Sequence, residues 1–195
     1  VFERRAPLLY TPLTVENEAV TEAIVDTGGG YEIILRESYG LKLTDTMEVL
    51  AFGGNELVAV TEPFRYRVDE FHGDADFALV GLSVCDCNGV GFNFFRKHGL
   101  ALSLDYATME TWFAARLRED AESVTLPFAD PPGGLEHFDT AFVEVTVESG
   151  GVSRTLTGLL DTGTNATIIR RGLFQPNVAL ALERVDLLIT RPEWG

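Results

Sequence analysis

The sequence predicts an all-β protein of two homologous lobes, the second of them incomplete. Asp26-Thr27-Gly28 and Asp161-Thr162-Gly163 repeat one tripeptide 135 residues apart, behind the apolar pairs Ile24-Val25 and Leu159-Leu160. In the same alignment Ile33-Ile34 falls on Ile168-Ile169. At average residue usage one such tripeptide arises by chance in roughly one chain in thirty of this length, so two in matched surroundings indicate an internal duplication. The segments leading into both copies alternate apolar and polar residues between turn residues, which is the period of half-buried strands.

In the first lobe Leu13, Val15, Val20 and Ile24 are apolar among polar neighbours, with a turn at Glu16-Asn17-Glu18, so a hairpin leads into the first repeat. Met47 to Val60 carries Phe52-Gly53-Gly54-Asn55 between β-prone arms, a second hairpin whose tip uses glycine's access to positive φ. Phe64 to Val68 alternates as a strand, and the continuous apolar run from Phe77 to Val84 predicts a strand buried on both faces. Asn93 to Gly99 reads as a short helix capped by Asn93 and ended by Gly99. A strand through Leu100, Leu102 and Leu104 follows, then a turn over Asp105 to Thr108. Beyond Phe113 the pattern becomes charged, and Asp130-Pro131-Pro132-Gly133-Gly134 breaks it. The division is therefore a first lobe over 1–118, a linker over 119–137 and a second lobe over 138–195. In the second, Phe142 to Val147 and Val152 to Leu160 repeat the hairpin about Glu148 to Gly151, a turn longer than the first by about three residues.

The 195 residues suffice for a core, and 46% hydrophobic with 23% charged residues is the balance of a soluble globular protein. No apolar run approaches the roughly 18 residues that cross a membrane, so no membrane insertion is expected. The formal charge of −15 repels phosphate backbones, which argues against nucleic acid as a partner and is compatible with solubility or with basic partners. Cys85 and Cys87 are too close to bridge readily from one face of a strand, so no disulfide framework is implied. His72, His98 and His137 share no ligand spacing with one another or with the cysteines; they read as surface or cap residues, with neither metal nor cofactor required. Gly28-Gly29-Gly30 is followed by no Lys-Ser/Thr and reads as a flexible turn rather than a phosphate loop. The chain starts at Val1 without a basic-then-apolar leader, as a processed form or a piece of something longer would.

A strand ending in Asp-Thr-Gly sets a carboxylate on a sharp turn beside a hydroxyl and a closely approaching backbone. Two such turns related by approximate two-fold symmetry would bring Asp26 and Asp161 face to face, where two like charges cannot both ionise and one proton is shared. One carboxylate can then take a proton from a lytic water while the other donates to a substrate carbonyl oxygen.

These residues resemble the aspartic peptidases, in particular the small retropepsins of retroviruses and retroelements. Beyond the repeated tripeptide, Leu79-Val80-Gly81, then Gly89-Val90-Gly91 running into Phe92-Asn93-Phe94-Phe95, is similar to the family's late strand, apolar-apolar-glycine ψ-loop and closing helix. Residues of about 8 to 113 thus resemble one complete retropepsin unit. The resemblance implies a retropepsin/pepsin-like acid protease fold in which Asp26 and Asp161 form the catalytic dyad. It further implies that Thr27 and Thr162 cross-link the two catalytic loops, that Gly28 and Gly163 permit the tight turns, and that Phe52, Gly53 and Gly54 form a flap over the substrate. The chain departs from the pattern at Gly29, where the family carries Ser or Ala; Thr164 supplies a hydroxyl at the matching place in the second lobe. Asn88-Gly89 also replaces part of an apolar pair, and the second copy has only 34 residues after Asp161. The implied activity is hydrolysis of peptide bonds in an extended peptide or protein substrate. The alternative is a catalytically silent relative that serves as a peptide-binding or structural subunit, its second lobe completed by self-association or within a larger assembly.

Overall fold

The computed structural model describes residues 8–16, 18–51, 54–83, 86–105, 110–114, 129–130, 140–149 and 151–164, and these are predominantly strand. β1 (Tyr10–Val15) and β2 (Glu18–Asp26) form the expected first hairpin; Val15 pairs with Glu18, and Glu16 in the turn takes a φ of 53°. Period-two alternation fixes which face is buried, since Leu13 and Val15 enter the core while Tyr10 and Pro12 face outward. β4 (Leu43–Ala51) and β5 (Gly54–Thr61) make the second hairpin, with Ala51 opposite Gly54, whose φ of +121° suits glycine alone. Phe52 and Gly53 at its tip lie outside the described residues. β6 (Phe64–Val68) buries Phe64, Tyr66 and Val68 and exposes both arginines, then turns back as β7 (Phe71–Ala75).

With β3 (Ile33–Leu35), β8 (Leu79–Val80) and β9 (Asn88–Gly91), these strands form one nine-stranded sheet that curls into a half-barrel, in the order β4-β5-β8-β3-β9-β2-β1-β6-β7. Its centre is not a simple meander. β9 runs parallel to β2 and antiparallel to β3, while β3 runs parallel to β8. This crossing sets Gly91 opposite Asp26 where β2 ends. Leu13, Val25, Ile33, Leu35, Val90 and Phe94 are essentially inaccessible in the core beneath it, and each contributes ~1.5–3 kcal/mol by leaving water.

Four expectations need correction. The apolar run from Phe77 is a strand only at Leu79–Val80, because Gly81 takes a φ of +74° and ends it; Phe77 is 36% exposed, and Val84 lies outside the described residues. The helix, α1 (Phe92–His98), starts one residue earlier than expected, with Gly91 as its N-cap and no side-chain cap bond. Asn93 instead donates from Nδ2 to the Gly30 carbonyl at 2.7 Å, tying the helix to the loop after the first repeat. Gly99 does end α1, in the left-handed conformation, with its N–H on the Arg96 and Phe95 carbonyls. Cys87 is disulfide-bonded. It and Asp86 lie in a bend, so the one-face strand geometry expected of the cysteines does not apply; Cys85 lies outside the described residues.

β10 (Ala101–Asp105) and β11 (Glu110–Ala114) form a separate hairpin whose Leu102 and Phe113 pack against the main core. The turn between them, the Trp112 side chain, the breaker residues 131–134 and the aligned pair Ile168-Ile169 lie outside the described residues. β12 (Phe142–Ser149) and β13 (Val152–Leu159) repeat the first hairpin in the second lobe. Here too a correction applies: Ser149 pairs with Val152, so the connection is two residues, as in the first copy. Glu148 and Ser149 extend the strand instead of turning. No helix of the described residues is long and apolar enough to cross a membrane.

Candidate active site

Each repeat closes a strand with a turn that binds its own carboxylate. After β2, the Gly28 and Gly29 N–H groups donate to Asp26 Oδ1 at 3.0 and 3.1 Å; after β13, the Gly163 N–H donates to Asp161 Oδ1 at 2.8 Å. The two turns then bond reciprocally. The Thr27 N–H donates to Thr162 Oγ1 and the Thr162 N–H to Thr27 Oγ1, both at 3.1 Å. The hydroxyls pass their own protons across, Thr27 Oγ1 to the Leu160 carbonyl at 2.7 Å and Thr162 Oγ1 to the Val25 carbonyl at 2.6 Å. Each threonine therefore uses one hydroxyl as donor and acceptor on the opposite turn, a pattern that needs both copies. Thr164 closes the described part of the second turn.

The glycines serve space rather than unusual torsions, for neither Gly28 nor Gly163 has a positive φ. A methyl on Gly28 would lie 2.5 Å from Asp161 Cγ, and one on Gly163 would lie 2.5 Å from Asp26 Oδ1. Each tripeptide leaves the gap that the other's aspartate fills. Gly28-Gly29-Gly30 is consequently no loose turn; its first two amides hold Asp26 and its third residue anchors Asn93.

The outcome is that Asp26 and Asp161 face each other as a carboxyl pair, each reaching into the space beside the other's glycine. Burial first, then the charge and side chain of Asp161, push the Asp26 carboxyl up to about 7, against the downward pull of the Gly28 and Gly29 amides. Two carboxyls so placed can share one proton. Such a pair can offer a base and an acid at once.

Sequence reasoning missed Tyr31. Its ring lies 3.0 Å from the point a Gly29 Cβ would occupy, and Asp26 Oδ2 lies 2.9 Å from the same point. The ring thus fills the space beside Asp26 where a Ser or Ala side chain would otherwise stand. Burial, followed by the charges of Asp26, Glu56 and Asp161, pushes the Tyr31 phenol up to about 12. The signal available in the sequence was an aromatic residue three positions after the tripeptide, next to an unusual glycine.

Two polar clusters support the site from behind. Asn88, buried within β9, accepts from the Arg36 N–H at 2.9 Å and donates to the Tyr39 hydroxyl at 3.0 Å, so its place in an apolar neighbourhood is satisfied. Glu32, directly after Tyr31, accepts from the Tyr66 hydroxyl and from Lys97 Nζ at 2.8 Å, while the Tyr66 oxygen also meets His98 Nε2 at 2.8 Å. Burial, then the Glu32 bond, raises the Tyr66 phenol; burial, with Lys97 adding to it, lowers His98. His98 is therefore a half-buried member of a network that binds α1 to the loop, not a surface residue. Among the described residues no group of three metal-ligating side chains converges.

Removing the cross-link has a direct cost. Thr27→Val keeps the shape of this buried residue but deletes a donor to Leu160 and strands the Thr162 N–H, which is expected to cost ~2–3 kcal/mol. A urea titration of both proteins checks it. No protein-family model matches the chain, and no curated protein matches it.

Proposed function

We propose that the chain is an aspartic endopeptidase with a retropepsin-like fold, in which Asp26 and Asp161 activate water for peptide hydrolysis. One observation carries this reading: the reciprocal threonine and glycine interlock that sets the two carboxyls face to face. With one proton on the pair, the ionised carboxylate takes a proton from water as the water oxygen attacks the peptide carbonyl carbon. The protonated partner donates to the carbonyl oxygen. Collapse of the tetrahedral species expels the amine, which leaves with a proton from the pair while one gem-diol hydroxyl returns its proton to the pair, so the pair ends with one proton as it began and no covalent enzyme intermediate forms. An extended peptide would lie between the pair and the β4–β5 hairpin, adding a strand by main-chain bonding.

The test is cleavage of an unstructured protein across about pH 3 to 8, with and without a statine-type peptide that mimics the tetrahedral species. Since the base form of the pair requires exactly one of its two protons, kcat/KM is expected to fall above an apparent pKa of about 7, the position of the raised Asp26 carboxyl. Inhibition by the statine peptide together with that limb supports the peptidase. Well-folded protein that binds the statine peptide yet cleaves nothing supports the silent peptide-binding subunit instead.

A further inference from the structure

A second anchored carboxylate, Glu56 on the β4–β5 hairpin, bears on Tyr31 beside the carboxyl pair. Glu56 stands two residues before Val58 on β5 and so shares its face. Val58 is buried in the apolar cluster on which Tyr31 packs, whereas Leu57 between them is 72% exposed on the other face. Glu56 is gripped at both oxygens, by the Ser83 N–H at 3.1 Å and by the Ser83 hydroxyl. No cation among the described residues pairs with it: Arg36 bonds Glu37 and Asp86, Arg65 bonds Glu16, and Lys97 bonds Glu32.

Tyr31 links this carboxylate to the dyad. Its partly exposed ring abuts Gly29 beside Asp26 at one side and packs on the Val58 cluster at the other. Aromatic face and immobilised carboxylate together complement a cation on a long apolar stem, the stem lying along the ring and the head reaching the carboxylate. A neutral side chain gains only the ring contact, and an acidic one is repelled. The charge of −15 adds a long-range attraction for cationic chains.

We propose that Tyr31 and Glu56 form a subsite for a basic side chain, lysine or arginine, of the bound peptide. The proposal rests on the peptidase reading for the position of the cleft. Its test uses peptides identical except for lysine or norleucine at each of the positions flanking the scissile bond, compared by kcat/KM. Reduced-amide versions, which cannot be cleaved, are compared by fluorescence anisotropy. At one position lysine is expected to exceed norleucine about tenfold, equivalent to ~1.4 kcal/mol. Glu56→Gln, which keeps an acceptor for Ser83, is expected to bring the two within about twofold, and Glu56→Lys to favour glutamate over norleucine. If Glu56→Lys does not fold, salt decides: the wild-type preference should shrink between about 0.05 and about 0.5 M NaCl.

Cleavage with no lysine preference, or a preference that survives Glu56→Gln, overturns the subsite and leaves the peptidase standing. Lysine-dependent binding without cleavage does the reverse. Neither cleavage nor binding of any peptide removes both.

Discussion

If the proposed peptidase reading holds, Asp26→Asn and Asp161→Asn are each expected to lower kcat on the order of 10³-fold, because each would delete either the base or the acid of the pair. The same substitutions report on folding. The Asp26 carboxyl lies near 3.8 in an unfolded chain and about 7 in the folded one, so between those values the native state holds the extra proton. Stability from this group is complete below about pH 4 and is lost as pH rises through 7. At ~1.36 kcal/mol per pKa unit the loss is bounded at ~4 kcal/mol. Asp26→Asn removes that slope, so the difference in unfolding free energy between variant and wild type should shift in the variant's favour from pH 4 to pH 8. Urea titrations at each pH, set beside kcat from a fluorogenic peptide, measure both effects. A variant that retains activity, or a difference that is flat with pH, contradicts the shared-proton pair.

Among the described glycines for which added methyls can be judged, Gly91→Ala should have the largest effect on stability. The new carbon would fall on the Tyr31 carbonyl oxygen and lie 2.8 Å from the Gly29 carbonyl oxygen, and both are backbone atoms that cannot swing aside. Gly91 also donates to the Glu32 carbonyl at 3.0 Å and pairs with Asp26 across β9 and β2. Relief therefore requires the loop carrying Tyr31 and the end of β2 to move together. Overpacking at such a point costs ~3 kcal/mol or more, and a displaced β2 end also spoils the carboxyl contact. Thermal unfolding should show a markedly lowered midpoint, with activity lost even well below it. Gly89→Ala is a useful contrast, since its methyl would meet Ile34 at 3.4 Å, ordinary contact with a side chain.

Much of this was legible in the sequence where a local pattern decides the outcome. Alternation in Phe64–Val68 is reproduced residue by residue in burial, and the two Asp-Thr-Gly copies do meet. Local pattern failed where a distant neighbour decides. Asn93 looks like a helix cap, but Gly30, 63 residues away, claims its amide. The run from Phe77 is mostly apolar, yet Gly81 breaks the strand after two residues so that its N–H can reach the Leu35 carbonyl at 2.9 Å. Tyr31 and Glu56 carry no motif; only the fold sets Tyr31 beside Asp26 and packs it on the cluster of β5 that Glu56 flanks. His98 has no partner in sequence and gains one only when Tyr66 crosses from β6.

The interlock of the two tripeptides also bears on how the copies can change through descent. Once both lie in one polypeptide, selection can treat most paired positions separately, and the two halves are free to drift apart in length and decoration. It cannot do so at Gly28 and Gly163. A side chain gained in one copy is paid by the aspartate of the other, so the glycine of each half is inherited under the constraint of the opposite half. Gly29 stands outside this bargain, its neighbours being Asp26 and Tyr31 of its own half. That position can diverge whenever a residue such as Tyr31 diverges with it, which makes asymmetry between the halves a permitted state of the lineage.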